Sequence, residues 1–178
     1  LLPIHQPGGF ICPGDFNAMG YGVPAANALK MAHPQCTVIG LVGDAAMMMT
    51  GMEALTASKY QLGVIYCLFN DGEISGEIRQ LPGQVTQMIK LGEADWVSFA
   101  HAIGCEYVTI EDNDDIESAL DTAFSLATEN RPVMIDILID YSRQSAFSEG
   151  IRATRPKHFA YPSKARMFAR ALKEKIIG

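Results

Sequence analysis

The stretch VIGLVGDAAMMMTGMEALTASKYQLGVIYCLFNDGEISG, residues 38–76, decides the fold. It reads as a strand ending in Gly43-Asp44, a helix, and a second strand ending in Asn70-Asp71-Gly72. A parallel strand pair needs a crossover of a dozen or more residues, about 30 for the whole unit, and the run from Asp44 to Asp71 fits. Neighbouring strands lie about 4.8 Å apart, so carboxylates at their carboxyl ends can share one hard cation. Mg²⁺ takes oxygen ligands, usually one or two carboxylates completed by water and phosphate. Ala45 and Ala46 open the helix, whose free N–H groups and positive dipole end suit an anion. Gly-Asp and Asn-Asp-Gly also serve as plain turn punctuation at strand ends. Spacing alone leaves both readings standing.

Working outward toward the N-terminus, residues 1–22 are rich in Gly, Pro, Asn and Asp and read as loop, with a short strand at Phe10–Cys12. Pro24 suits the first turn of a helix that stops before His33-Pro34. Thr37–Val42 is expected as a strand buried on both faces. The helix from Met48 to Tyr60 carries Met48, Met49, Met52 and Leu55 at helical spacing, and this cluster is read as packing. Beyond the second strand, Val64–Phe69, the polar run Gly72–Gln84 is expected to line a site at the carboxyl end of the sheet.

Toward the C-terminus, Asp95–Ile103 reads as a helix stopped by Gly104. Glu106–Ile110 reads as a strand, and Asn113 as the cap of a helix from Asp114 to Glu129. Val133–Ile139 is another buried strand, followed by a polar tail from Tyr141 with a closing helix at Ser163–Ile176. Alternation of this kind predicts an α/β fold: an open, mostly parallel sheet with helices on both faces. His5, in a loop where it could contact a ligand, reads as a solvated residue, and His101 on a helix as a surface or packing residue.

The chain has 178 residues, 48% hydrophobic and 19% charged, which suits one globular domain over 1–178 with 141–178 as its tail. A net charge of −6 without a basic cluster argues against nucleic acid and anionic membrane surfaces. No apolar run reaches membrane-spanning length, and neither a leader nor an anchor is expected. Cys12, Cys36, Cys67 and Cys105 are scattered and read as reduced cytosolic core thiols, with neither a disulfide frame nor a zinc site. The abrupt opening LLPIHQPGG suggests a piece of something longer.

Several blocks in order resemble one family. Gly43-Asp44-Ala45, then Glu53 in EALTAS, then Asn70-Asp71 resembles the thiamine diphosphate motif, written GDG and closing on NN. MGYGVPAANALKMAHP resembles the segment before that motif in acetolactate synthases, glyoxylate carboligase and related decarboxylases. DWVSFAHAIGCEYVTIED and RPVMIDILIDYS resemble the later helix and strands of the same domain. The chain is thus identified as similar to the C-terminal diphosphate-binding domain of a thiamine diphosphate-dependent, acetolactate synthase-like enzyme, beginning after that domain's first strand and helix.

The resemblance implies thiamine diphosphate and Mg²⁺ as cofactors and a 2-oxo acid as substrate, and leaves an FAD-binding middle domain open. By position it makes Asp44 and Asp71 side-chain ligands of Mg²⁺ and gives Glu73 a backbone-carbonyl role. The amides of Ala45, Ala46 and Ile74 hold the diphosphate, with Gly43 in the same motif. Met19 props the cofactor in its bent form, and the Asn17 backbone faces the aminopyrimidine. Ala45 stands where the family has a third glycine, Asp71 where asparagine is commoner, and the loop after Asp71 is longer by a residue. Ala45 is tolerable provided its backbone is not left-handed.

The glutamate that activates the aminopyrimidine belongs, in this family, to a pyrimidine-binding domain. That domain is expected in cis or on a partner chain, within a homodimer or homotetramer, and the catalytic residue is therefore not assignable here. Taken alone, the chain is expected to be catalytically incompetent. Two rivals stand beside this reading. A nucleotide-binding module lacks its motifs, since there is neither G-x-x-x-x-G-K-[ST] nor G-x-G-x-x-G after a strand. A non-catalytic family member could keep the fold with a vestigial metal site.

Overall fold

The structure, a computed structural model, describes residues 3–5, 7–74 and 89–139. The expected site-lining residues from Ser75 to Gln84 and the tail with its helix Ser163–Ile176 lie outside the described residues. The chain divides into two compact units, Leu1–Asn70 with Ala94–Leu138, and Asp71–Glu93 with Ile139–Gly178.

The first unit alternates helix and strand in the order α1 (Gly22–Ala32), β1 (Val38–Gly43), α2 (Asp44–Thr50), α3 (Ala54–Lys59), β2 (Val64–Asn70), α4 (Trp96–Ala102), β3 (Glu106–Ile110), α5 (Ile116–Thr128) and β4 (Val133–Leu138). The four strands form one all-parallel sheet in the order β1-β2-β4-β3. Gly43 pairs with Phe69 and Asn70 with Leu138, so the carboxyl ends of β1, β2 and β4 come to one rim.

Two cores sit on the two faces, as the period-2 alternation of buried strands requires. Val64, Tyr66, Leu68 and Met134 face a layer holding Val23, Ala26, Met47, Ala57, Trp96 and Ala100 from the first four helices. Ile65, Cys67, Val133 and Ile135 face α5 through Ala119, Ala123 and Ala127. Those alanines recur at helical spacing, and their small size lets α5 lie close on the sheet. Ile65, Leu68 and Ile135 are fully buried, each stabilising the fold by about 2 kcal/mol on area grounds.

The inner face also buries polar groups, and these are paired. The Tyr66 hydroxyl donates to Asn27 Oδ1, and Asn27 Nδ2 donates to the Glu53 carbonyl at 2.7 Å, tying α1 to β2 and to the turn before α3.

Six local expectations are corrected. Of the four cysteines expected in the core, only Cys67 and Cys105 are buried, while Cys12 and Cys36 are exposed. Among the described residues β1 is an edge strand, and it alternates buried and exposed, with Ile39 and Leu41 facing outward. The reason is that α5 packs on β2, β3 and β4, while β1 is covered from the side of α1. Residues Phe10–Cys12 form no strand. The helix from Met48 to Tyr60 is broken by a 3₁₀ turn at Gly51–Glu53, where glycine weakens helix continuity. Its methionines do not pack: Met48, Met49 and Met52 are exposed along with Leu55, and within residues 47–52 it is Met47 that is buried. Finally, Asn113 is not the cap. Asp112 accepts from the Asp114 amide, Asp115 accepts from the Asp112 amide, and a 3₁₀ turn at Asn113–Asp115 leads into α5.

Of the second unit, the described residues make one short antiparallel bridge, Glu73 with Lys90. The Ile74 amide donates to the Ile89 carbonyl at 2.7 Å and the Leu91 amide to the Gly72 carbonyl at 2.8 Å. Among the described residues, no helix is long and apolar enough to cross a membrane.

Candidate functional site

At the rim of the first unit, Gly43 and Asp44 follow one another at the end of β1, and Asn70 closes β2. β1 ends at Gly43 with an extended backbone, and the next residue, Asp44, is already the first of α2. The strand therefore delivers a carboxylate to a helix start. Asp44 is only 3% exposed, and its Oδ1 accepts the Ala45 amide at 2.7 Å. A buried carboxylate needs such partners, because desolvating a charge without compensation is costly. Ala45 lies within α2 and is buried, so the methyl group replacing a glycine hydrogen meets no left-handed backbone.

The end of β2 is held differently. Asn70 Nδ2 donates to Asp136 Oδ1 at 3.0 Å, and the Tyr107 hydroxyl donates to Asp136 Oδ2 at 2.8 Å. Asp136, 4% exposed on β4, thus receives one donor on each carboxylate oxygen. Burial pushes the Tyr107 phenol up to about 12, and the hydrogen bond to Asp136 and its negative charge add to that shift.

A loop on the N-terminal side is tied to α2. The Asn17 amide donates to the Pro13 carbonyl, and Asn17 itself is left-handed at φ 51°. Met19 is half exposed. Gly20 follows with its carbonyl accepting the Thr50 hydroxyl at 2.7 Å, which ties this loop to the last residue of α2.

Asp71, Glu73 and Ile74 belong to the second unit. There Asp71 Oδ1 accepts the Glu73 amide at 3.2 Å across Gly72, which is left-handed at φ 68°. The Ile74 amide, expected to face a diphosphate, points instead to the Ile89 carbonyl. Among the described residues, no three His, Cys, Asp or Glu side chains converge as a metal cage. A carboxylate such as that of Asp44 is a hard oxygen donor of the kind Mg²⁺ selects.

Sequence reasoning missed Asp136, Tyr107 and Thr50. A single acidic residue inside the apolar strand Val133–Leu138 was a readable signal for Asp136, because aspartate is almost never fully buried unless paired. Nothing in the sequence pointed to Thr50, whose partner lies 30 residues away.

Comparison with known proteins shows the family of the chain. The family described as thiamine pyrophosphate enzyme, C-terminal TPP binding domain, matches residues 1–137. The probable acetolactate synthase large subunit of Methanocaldococcus jannaschii is 34% identical over 145 residues, covering 79% of this chain and 24% of that protein. The acetolactate synthase large subunit of Haemophilus influenzae is 32% identical, covering 79% of this chain and 25% of that protein. A 2-hydroxyacyl-CoA lyase of rice is 26% identical over 148 residues, again 79% of this chain and 25% of that protein. The chain thus spans about a quarter of the length of the curated relatives it matches.

Proposed function

Because the chain belongs to the thiamine pyrophosphate enzymes through their C-terminal TPP-binding domain, we propose that it anchors the diphosphate and Mg²⁺ of thiamine diphosphate in an acetolactate synthase-like carboligase or decarboxylase of 2-oxo acids. The observation that carries this reading is Asp44, a buried carboxylate delivered by β1 to the first turn of α2. A carboxylate in that position suits a cation that in turn neutralises a diphosphate.

In this reading Asp44 and Asp71 bind Mg²⁺ through their side chains and Glu73 through its carbonyl. The amides of Ala45 and Ala46 face the diphosphate. That role for Ala45 requires its amide to be shared with, or released from, Asp44 Oδ1. Ile74 joins them only if its bridge to Ile89 opens. Met19, half exposed, supports the bend of the cofactor, and the Asn17 backbone meets its aminopyrimidine. Thiamine diphosphate, when bound, would supply a nucleophilic carbon toward a 2-oxo acid and a sink for the electron pair left behind as CO₂ departs. The protein's part is to bind, orient and shield.

The activating glutamate comes from a pyrimidine-binding domain in cis or on a partner chain, in a cytoplasmic homodimer or homotetramer. The test is to supply the full-length protein with thiamine diphosphate, Mg²⁺ and a panel of 2-oxo acids, and to measure CO₂ release and ligation products. Turnover of at least one acid is expected. Cofactor binding with no turnover of any acid would instead mark a non-catalytic member of the family.

A further inference from the structure

The loop that carries Asn17 and Met19 is clamped to α2 at one point. Thr50, the last residue of α2, donates its hydroxyl to the Gly20 carbonyl at 2.7 Å, while its alternative acceptor, the Ala46 carbonyl, lies at 3.4 Å. The fit is close as well as polar. A Cβ on Gly20 would come within 2.7 Å of Thr50 Cγ2 and 3.1 Å of Thr50 Oγ1, and Gly20 sits at φ +87°, a region side chains rarely adopt. Gly20 is buried although Met19 beside it is 50% exposed. The clamp therefore fixes the backbone of the loop and leaves the Met19 side chain free to meet a ligand.

The geometry points to Thr50 as a positioning residue that sets the Met19 loop relative to α2, the helix that begins with Asp44. The inference rests on the cofactor reading proposed above. α2 presents Asp44 at its first residue and Thr50 at its last, so about two turns of helix link the residue assigned to the metal and diphosphate with the loop assigned to the ring system. Removing the hydroxyl leaves the diphosphate end intact and lets the loop drift.

Titration calorimetry on the full-length protein separates the two ends, using Mg²⁺ with thiamine diphosphate and Mg²⁺ with inorganic pyrophosphate as probes. Thr50→Val keeps the shape and removes the donor. It is expected to weaken thiamine diphosphate binding about fivefold, the worth of one hydrogen bond, and to leave pyrophosphate binding unchanged, while Thr50→Ser restores the wild-type value. Gly20→Ala, which forces the same contact apart from the loop side, shows the same selective loss. Variants that bind both probes as the wild type does, or lose both equally, overturn the role of Thr50. A wild type that binds neither probe overturns the cofactor reading itself.

Discussion

Asn70 and Asp136, 66 residues apart in sequence, are joined side chain to side chain at the carboxyl rim of the sheet, with Asn70 Nδ2 donating to Asp136 Oδ1 at 3.0 Å. With Tyr107 on the other oxygen, Asp136 holds three strands, β2, β3 and β4, at the end where Asp71 follows in the chain. Replacing Asp136 with alanine leaves two donors without their acceptor in a nearly dry place. Asp136→Ala is expected to lower unfolding stability by about 3 kcal/mol, and Asp136→Asn, which keeps one acceptor, by less. Urea unfolding of the three proteins measures this.

Alkali should destabilise the fold. Burial pushes the Cys67 thiol up from 9.0 to about 11 and the Cys105 thiol to about 12, and burial together with Asp136 raises the Tyr107 phenol from 10.0 to about 12. Each group is held protonated by the folded state. Its contribution is complete below the ordinary value and fades as pH rises through the folded value, because the unfolded chain loses the proton first. The melting temperature is therefore expected to be insensitive to these groups at pH 8 and to fall steadily between about pH 9 and 12. The same burial predicts that Cys12 and Cys36, both exposed, react with a thiol reagent at once, and Cys67 and Cys105 only on unfolding.

The methionine run separates by face. Met47 is fully buried, so Met47→Ala is expected to cost about 3 kcal/mol through lost burial and the cavity left behind. Met49→Gln and Met52→Gln lie at exposed positions and should change stability by less than about 0.5 kcal/mol. Thermal melts of the three variants are sufficient.

The βαβ unit from Val38 to Asn70 was legible because strand length, crossover length and the punctuation at Gly43-Asp44 and Asn70-Asp71 all agree on a parallel pair. The apolar run of β1 could not reveal that it is an edge strand. Composition is the same for Ile39 and Leu41 whether a helix covers them or not, and only the placement of α5 decides. Nor could the spacing of Met48, Met49 and Met52 show which face of α2 and α3 turns inward once Gly51 breaks the helix. At the rim, Asp44 was readable as a residue at a strand end. Its bond to the Ala45 amide, the Asn70–Asp136–Tyr107 link and the Thr50 clamp join parts of the chain that local pattern does not relate.

Gly63 is required by close approach. A Cβ there would lie 1.9 Å from the Ala127 carbonyl oxygen, and that oxygen is backbone near the end of α5, which cannot move aside as a side chain can. Gly63→Ala is expected to destabilise the protein by about 3 kcal/mol, at the upper end of ordinary overpacking. Chemical denaturation against the wild type checks it.

The central claim is that Asp44 anchors a magnesium-bound diphosphate. It is tested most directly by calorimetric titration of the full-length protein with thiamine diphosphate, with and without Mg²⁺, in wild type and Asp44→Ala. The account predicts Mg²⁺-dependent binding by the wild type and its loss in Asp44→Ala while the variant still melts as a folded protein. Absence of binding by the wild type, or binding that Asp44→Ala leaves unchanged, would contradict it.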